Sequence, residues 1–411
     1  MQTPSKKTKQ NKNASATLAA LTSTAMLLPG ISMPAQADKA PDNVQLGLHY
    51  TKYQEDDTEA KLTSAGSFER YDIDVYQFYL LAPINQAWST GVDVQVDHMS
   101  GASPWFVGQT LDGKPQLIMS GASISDERRD VSVNARHYME QSNVGVSVGH
   151  SDEDDYTAKS AAVDGEYTLD NKQTTLNGGV SFSDDDIYPE RPPKHNIPIY
   201  IDDGTKKSRS LYFGISQIFD KKSMLRVGVS YNHLSGLLTD PYKAYRRHNI
   251  LSDTYSYYDI RPDHRNEWAL SVGYRYFITP LNAALHVDYR RYHDSWDVES
   301  HTLELGWYQN VGYGVQIIPM LRYYSQQEAY FFSNLPVNSQ DDYVSSDYRL
   351  STYGAYSAGL TVKYHFRNWA FTVGGERYET DMANGLNRGS EESPALVDFT
   401  RLTAGVDYEF D

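Results

Sequence analysis

The sequence predicts an all-β fold, a transmembrane antiparallel up-and-down β-barrel of about 16 strands that follows a cleaved signal peptide. Three observations predict it. Apolar and polar residues alternate with a period of two in many segments. The connections between these segments are alternately short and long. The chain also has 33 tyrosines in 411 residues, and such rings are typical of the interface between a membrane and water.

The first element is the amino-terminal segment. Its first twelve residues contain four lysines, residues 17–28 are mildly apolar, and Ala35-Gln36-Ala37 is a small-x-small cleavage site. This order predicts a secretory signal peptide over residues 1–37. The alternative is an ordinary amphipathic first helix. We expect residues 38–411 to form a single barrel domain.

Sixteen segments of alternating polarity follow. Most are about ten to thirteen residues long, the length that a tilted strand needs to cross a bilayer. They lie at residues 44–54, 70–81, 88–98, 128–138, 143–151, 157–169, 173–183, 209–219, 223–235, 265–277, 283–293, 300–309, 314–326, 351–365, 369–379 and 398–410.

The connections between the segments are of two kinds. Those after every second segment are short, such as 139–142 and 170–172, whereas most of the others are long, such as 99–127 and 236–264. Short turns on one side and long loops on the other are typical of outer-membrane barrels. An even number of strands puts both termini on the short-turn, periplasmic side. The alternative is a soluble propeller or sandwich.

Composition excludes several classes of protein and site. The chain has no cysteine, which excludes disulfides and thiolate metal sites. Its net charge of −16 argues against nucleic acid as a partner. A mean hydropathy of −0.58 excludes a helical membrane protein but not a barrel, because the inner face of a barrel is polar.

Five groups of short motifs occur in order along the chain. They are Met99 to Pro104 (MSGASP), Met119 to Ile124 (MSGASI) with Asp126-Glu127-Arg128, Asp240 to Lys243 (DPYK), Arg261 to Arg265 (RPDHR) and Leu321 to Phe332 (LRYYSQQEAYFF). This set resembles the bacterial family called domain of unknown function 3570. The resemblance extends over nearly all of residues 38–411. It implies a secreted outer-membrane protein and implies no activity.

Two patterns are similar to sites of chemistry. Gly145 to Gly149 fits the G-x-S-x-G pattern of hydrolases, but it lies inside an alternating strand rather than at the bend that exposes a nucleophilic serine. Four histidines suggest a metal site: His286 and His365 fall on strands that are not neighbours, and His293 and His301 flank a short acidic loop. We expect no catalytic residue, no metal, no cofactor and no enzyme activity.

Acidic runs lie where loops or strand ends are predicted. We expect them to be solvated and mutually repelling; the alternative is that they bind calcium, or divalent ions that bridge to anionic lipid headgroups. The runs are Asp56-Asp57, Asp152 to Asp155, Asp184 to Asp186 and Asp341-Asp342.

A basic cluster lies in the loop 236–264, among several tyrosines. We expect the aspartates of the same loop to satisfy it, and the alternative is a site for an anionic or sugar ligand. The cluster is Lys243, Arg246, Arg247 and His248, and the aspartates are Asp240, Asp253 and Asp259.

Charged residues on the predicted inner face of the wall are candidate selectivity residues. They are Asp72, Asp74, Asp93 and Asp97 near the outer end, and Asp288, Arg290, Glu304, Arg322, Lys363 and Glu376 on later strands. Opposite charges on opposite walls would create a transverse field in a pore, whereas adjacent opposite charges would form structural ladders. Both interpretations stay open at this point.

One long loop differs from the others in composition. Between residues 100 and 124 the charged residues are Asp112 and Lys114, and the loop contains Trp105, Phe106 and other large apolar residues instead. Exposing such a surface to water is costly. We expect the loop, within 100–127, to fold into the lumen near Asp93 and Asp97; the alternative is packing over the rim or on a neighbouring protomer.

These patterns favour a porin-like channel or substrate-selective transporter in the outer membrane of a Gram-negative bacterium. A channel acts through its radius and wall charge and needs no catalytic group. The alternatives are a plugged barrel that acts as a docking or assembly component, and an outer-membrane barrel hydrolase. The expected partners are outer-membrane lipid, small polar or ionic solutes and the barrel-assembly machinery.

Overall fold

The computed structural model describes residues 39–110, 113–120, 124–189, 201–248, 254–337, 342–387, 389 and 392–411. The predicted signal peptide, residues 1–37, lies outside them. The strands, in chain order, are β1 (Gln45–Glu55), β2 (Thr63–Ala65), β3 (Asp72–Asn85), β4 (Trp88–Gly101), β5 (Pro104–Gln109), β6 (Pro115–Met119), β7 (Ile124–Tyr138), β8 (Ser142–Asp152), β9 (Tyr156–Thr168), β10 (Thr174–Ile187), β11 (Gly204–Ile218), β12 (Ser223–Gly236), β13 (Ala244–His248), β14 (Thr254–Tyr258), β15 (His264–Ile278), β16 (Ala283–Asp294), β17 (Glu299–Gly312), β18 (Val315–Gln326), β19 (Tyr353–Phe366), β20 (Trp369–Asp381) and β21 (Phe399–Glu409).

Within the described residues, sixteen of these strands form a closed barrel. Their order is β1-β21-β20-β19-β18-β17-β16-β15-β12-β11-β10-β9-β8-β7-β4-β3. Neighbouring strands are antiparallel, and β1 closes the cylinder against β21 with Gln45 opposite Glu409 and Glu55 opposite Phe399. Each of the sixteen alternating segments is one barrel strand, so the predicted all-β barrel and its strand number are confirmed.

The barrel has a turn end and a loop end. At the turn end the connections are two to five residues long, and several use left-handed backbone, such as Asn282 (φ 49°) and Arg367 (φ 54°). Gly314 (φ 78°) is required in one of them, because a Cβ there would collide with the backbone oxygen of His365. The chain enters β1 and leaves β21 at this end.

The outer face of the wall is apolar. Alternate residues of the strands point outward, and Leu48, Val146 and Val373 are 50%, 49% and 64% exposed. Exposed aromatic side chains lie at both edges of this belt. The row nearer the loops includes Tyr50, Tyr76, Phe182, Trp268 and Tyr356, and the row nearer the turns includes Trp88, Tyr167, Phe219, Tyr276, Phe366, Trp369 and Phe410.

Among the described residues, no helix has the length and apolar character that crossing a membrane requires. The helices that are described are single 3₁₀ turns, at Thr279–Leu281, Tyr348–Leu350 and Met382–Asn384.

Buried apolar side chains are concentrated at the loop end. One cluster joins Trp296, Phe331 and Leu350, and a second joins Leu117, Met119 and Ala395. The inner face of the wall below them is polar and partly exposed. The side chain of Asp288, for example, is 42% exposed. The wall is therefore held by strand pairing, whereas the apolar core of the molecule lies at its loop end.

Candidate functional site

Eight connections lie at the loop end and are numbered L1 to L8. They are L1 (56–71), L2 (102–123), L3 (153–155), L4 (188–203), L5 (237–263), L6 (295–298), L7 (327–352) and L8 (382–398). The name cap is used for the described residues of L1, L2, L5, L7 and L8, which pack on one another.

L2 folds into a hairpin of β5 and β6, to which β2 of L1 adds a third strand. Leu117 and Met119 are almost fully buried, and they pack with Ala395 of L8 and Tyr348 of L7. The apolar composition of the loop thus has a structural use, because its large side chains are removed from water by the other loops.

L2 and L5 contact each other at the mouth of the barrel. The ammonium group of Lys243 in L5 donates to Ser103 Oγ at 3.1 Å and to the carbonyl oxygen of Pro104. L2 connects β4 with β7, and L5 connects β12 with β15, on the far side of the ring of strands. A bond between two such loops shows that L2 and L5 meet across the ring of strands.

These contacts give the position of only part of the loop that is predicted to fold into the lumen. Its described ends pack on L5, L7 and L8, and Trp105 and Phe106 contact each other with ring centroids 5.2 Å apart. Lys114 is exposed near the hairpin tip, and Asp112 lies outside the described residues. The expected approach to Asp93 and Asp97 stays a prediction.

A buried ionic cluster joins L5 to L7. Asp347 has no exposed side-chain surface; it accepts from Arg261 at 2.9 Å and from Arg349 Nε at 2.8 Å. Arg349 also donates to Asp240, and Arg261 donates to Asp259. The cap therefore contains three buried carboxylates and three cations, whose charges balance. The carboxylates are Asp240, Asp259 and Asp347, and the cations are Arg261, Arg349 and Lys243.

The environment shifts the pKa of several of these groups. Burial disfavours the charged form of Asp347, but the guanidinium groups of Arg349 and Arg261 outweigh it and hold the pKa of that carboxyl well below its usual range. Burial lowers the pKa of Lys243 to about 8. Burial also raises the pKa of Asp259 to about 6, against the attraction of Arg261.

The ionic cluster tests the two interpretations of the basic cluster in this loop at one basic residue, Lys243. Lys243 is 3% exposed and is engaged by the hairpin, and Asp240 and Asp259 lie in the ionic cluster, as the self-satisfied interpretation expects. Asp253 and the side chains of Arg247 and His248 lie outside the described residues.

The assignment of Asp72 and Asp74 to the lumen is wrong. Asp74 lies opposite Lys52 and His98, and two residues farther along β3 Tyr76 lies opposite Tyr50 and Val96. Directly opposite residues share a face, and this face is the exposed apolar one. Both aspartates point outward at the loop end, where Lys52 Nζ lies 3.2 Å from Asp74 Oδ2 and also pairs with Asp72.

The other predicted wall charges face the lumen and mostly pair with neighbours. Glu304 and Arg322 lie opposite each other, 2.7 Å apart, and Arg322 lies 3.6 Å from Glu376. Glu376 also pairs with Arg401 of the next strand. Asp288 pairs at 2.8 Å with Arg275. These contacts are the ladders of the structural interpretation.

Arg290, Lys363, Asp93 and Asp97 complete the predicted set. The Arg290 guanidinium lies 5.4 Å from the ring centroid of Tyr292, and Lys363 lies on the inward side between Gln316 and Thr372. Asp97 is fully buried and Asp93 is half-buried. Five further charged residues point into the lumen and were not predicted, although the alternation along their strands places them on the inner face. They are Arg136, Asp164, Arg226, Arg275 and Arg401.

The lumen charges are distributed unevenly around the ring. On β4, β7 and β9 the mid-wall residues are Asp93, Asp130, Asp164 and Glu166, with Arg136 paired to Asp164. On β12 to β19, across the barrel, they are Arg226, Arg275, Arg290, Arg322 and Lys363, with Asp288 and Glu304. One side of the wall is therefore net acidic and the other is net basic.

The remaining candidates have ordinary structural positions. Ser147 lies in the middle of β8 between Val146 and Val148, away from any bend. His286 packs on Tyr308 at 3.9 Å between ring centroids, and His301 hydrogen-bonds the Tyr289 hydroxyl at 2.7 Å. Within the part of the chain that is described, no group of three or more His, Asp or Glu side chains is arranged to hold a metal ion.

One acidic run differs from the expected solvated tip. In Asp152 to Asp155 the side chains alternate in direction, so Asp152 and Asp154 are exposed while Glu153 and Asp155 are 7% and 1% exposed. Asp185 of another run is also buried and pairs with Lys206 at 2.9 Å. The expectation of solvated carboxylates is wrong for these three residues. Their side chains point inward at the loop end, where the loops cover them.

Comparison with known proteins gives a family and several solved barrels. The profile of a family described as "Protein of unknown function (DUF3570)" matches residues 18–403. No match is found among curated proteins.

Three solved structures illustrate the likeness. The siderophore receptor PirA of Pseudomonas aeruginosa is 12% identical, with a TM-score of 0.42 over 83% of this chain and 56% of the receptor. A bacterial polysaccharide outer membrane secretin is 8% identical, with a TM-score of 0.47 over 90% of this chain and 99% of that chain. OccD3 (OpdP) of Pseudomonas aeruginosa is 8% identical, with a TM-score of 0.43 over 93% and 97%.

The ionic cluster yields a prediction about the cap. Replacing Asp347 by Ala leaves Arg261 and Arg349 buried without their shared carboxylate, a loss that costs about 3–5 kcal/mol. We expect faster amide hydrogen exchange in L5 and L7 with unchanged protection of the barrel strands. Asp342→Ala, an exposed change in the same loop, is the control. Equal protection in the two variants would contradict a locking role for the cluster.

Proposed function

The chain belongs to the DUF3570 family, whose description assigns no activity, and we propose that it is a gated channel of the Gram-negative outer membrane. In this proposal the barrel wall lies in the lipid, the lumen carries small polar or ionic solutes, and the cap is the gate in its closed state. The observation that carries the proposal is the L2 hairpin bonded across the mouth to L5 above a polar, partly exposed lumen.

The outer surface supports the membrane location. A continuous belt of exposed Leu and Val, bounded by two aromatic rows, is what the lipid-facing side of such a barrel requires. The closed ladder also satisfies the backbone groups of the wall, which lipid cannot do. Export by a signal peptide, insertion by the barrel-assembly machinery and contact with outer-membrane lipid follow from this location and belong to the proposal.

The lumen supports transport of polar solutes. A cylinder of sixteen strands is wide enough to leave an aqueous lumen unless loops fill it. The acidic side around Asp93 and Asp130 faces the basic side around Arg226 and Lys363, an arrangement that supports a transverse field in addition to the ladders. A channel of this kind performs no bond chemistry, and the proposal includes no enzyme activity.

A second candidate function is a docking or assembly component built on a permanently plugged barrel. The cap itself favours it, because apolar clusters and balanced ion pairs make the cap a well-packed structure rather than a loose set of loops. The two candidates differ in whether the lumen ever conducts.

Conductance distinguishes them. Deleting residues 105–118 removes most of the L2 hairpin, and we expect the purified, inserted variant to give larger or more frequent single-channel openings in planar bilayers than the wild type. Heat-dependent migration on gels verifies that the barrel is folded. A folded and inserted deletion variant that carries no current would refute the channel and favour docking.

The membrane location has its own test. Val146 points outward near the middle of the wall, and the adjacent Ser147 points inward. A charged residue facing lipid at the midplane costs about 2–4 kcal/mol, so Val146→Arg should impair insertion into lipid vesicles while Ser147→Arg should insert normally. If the two variants insert equally well, the apolar belt does not face lipid.

Wall charge predicts ion selectivity. In the hairpin-deleted background, Asp93→Asn should shift the reversal potential in a salt gradient toward anion preference, and Arg226→Gln should shift it toward cation preference. The two changes sit on opposite sides of the lumen and serve as controls for each other. Shifts in the same direction, or none, would mean that these residues do not line the conducting path.

A further inference from the structure

A buried acidic pocket lies at the loop end, where β4, β7 and L3 meet. It contains Asp97 of β4, Asp126 and Asp130 of β7, and Glu153 and Asp155 of L3, arranged around Arg128. The pocket is separate from the ionic cluster of L5 and L7.

Arg128 is shared by three carboxylates of this pocket. Its guanidinium lies 3.7 Å from Asp97, 3.5 Å from Asp130 and 4.0 Å from Glu153, and its Nε donates to Ser151 Oγ at 3.0 Å. A single cation that is already shared at such distances gives weak pairing to each carboxylate. Glu153, at the largest of these three distances, therefore gains little from the guanidinium group.

Glu153 is a fully buried carboxylate of this pocket that accepts no hydrogen bond. Its side chain has no exposed surface, and neither carboxylate oxygen has a hydrogen-bond partner. A buried ionised carboxylate without hydrogen bonds is strongly disfavoured, and the usual relief is to bind a proton.

Asp155, two residues after Glu153 in L3, connects the pocket to the cap. The hydroxyl group of Tyr242 in L5 donates to the Asp155 carboxylate, and the backbone amide of Tyr188 donates to the Asp155 carbonyl oxygen at 2.7 Å. The residue after Tyr242 is Lys243, which holds the L2 hairpin. Movement of L3 out of the pocket would therefore pull on the segment that closes the mouth.

We propose that Glu153 is a proton-binding latch: it is protonated when L3 is seated in the pocket, and it loses that proton when L3 moves into water and the cap opens. The inference rests on the proposed function, since it takes the cap to be the gate. Acid then stabilises the closed cap, and rising pH weakens it.

The direction follows from proton linkage. Burial, together with the carboxylates of Asp126, Asp155 and Asp97, raises the pKa of Glu153 to about 9 from the usual 4.5, whereas Arg128 opposes the shift. Between these two values the closed state binds one more proton than a state with Glu153 in water. Each rise of one pH unit in that interval should then lower the ratio of closed to open cap by up to about tenfold.

Other buried groups of the cap titrate outside a central window. Asp259, with its pKa raised to about 6, acts in the same direction as Glu153 but only below that pH. Lys243, with its pKa lowered to about 8, acts in the opposite direction and only above that pH. Between about pH 6.5 and 7.5 the slope should therefore come from Glu153.

The test compares three forms of the full chain in lipid nanodiscs. Glu153→Gln keeps the size of the side chain and mimics the protonated acid. Glu153→Met is a second neutral variant in case the amide disturbs the pocket. Asp154→Asn makes the same change of charge in the same loop at an exposed position. Amide hydrogen exchange of the L2 hairpin, corrected for the intrinsic rate at each pH, reports opening of the cap.

The expected result is about a tenfold loss of hairpin protection between pH 6.5 and 7.5 in the wild type and in Asp154→Asn, with no such loss in either Glu153 variant. A wild type without this dependence, or Glu153 variants that retain it, would overturn the latch. Bilayer recordings separate the two proposals. If the hairpin is protected in the pH-dependent way described but the hairpin-deleted protein carries no current, only the channel is refuted. If the hairpin-deleted protein carries current but the protection of the hairpin does not depend on pH, only the latch is refuted.

Discussion

Closure of the hydrogen-bonded ladder between β1 and β21 is the constraint on which the rest of the structure depends. An open sheet of this length would expose two edges with unpaired backbone groups, and a cylinder has none. Closure also gives every strand a fixed inner and outer face. The apolar belt, the polar lumen and the arrangement of loops around the mouth all follow from which residues the closed register places on each face.

The closed ring determines what the loops can do. Loops from opposite parts of the ring meet over the lumen, where they are shielded from water by one another, and their contacts are of two kinds. Apolar side chains such as Leu117, Met119 and Phe331 form clusters, and buried charges balance in the group around Asp347. Burial makes each unpaired charge expensive, so such a group holds the loops together only while all of its members are present.

The wall and the cap therefore have different physical roles. The wall is stabilised by backbone pairing and by ladders such as Glu304–Arg322–Glu376, which leave its inner surface partly wet. The cap is stabilised by desolvated contacts that a small change of charge can break. In the acidic pocket Glu153 is buried without a hydrogen bond. It lies at the junction of wall and cap, so protonation there can alter the cap without altering the wall.

Much of this architecture was determined by the sequence alone, because a period of two is a local property that each strand shows by itself. All sixteen strands, the separation of turns from loops, and the inward direction of residues such as Arg322 and Glu376 were predicted in this way. The apolar composition of L2 also predicted that it would pack rather than extend into water.

Tertiary structure alone decided the rest. β3 has large side chains on both faces, Ile73 and Val75 inward and Tyr76 and Phe78 outward, so its alternation is ambiguous and only its pairing with β1 and β4 shows that Asp72 and Asp74 point outward. The partners of L2, the ionic cluster that joins Asp240 to Arg349, and the burial of Glu153 involve loops far apart in the chain. They meet because the ring closes, and no local pattern of residues records which loops a closed ring brings together.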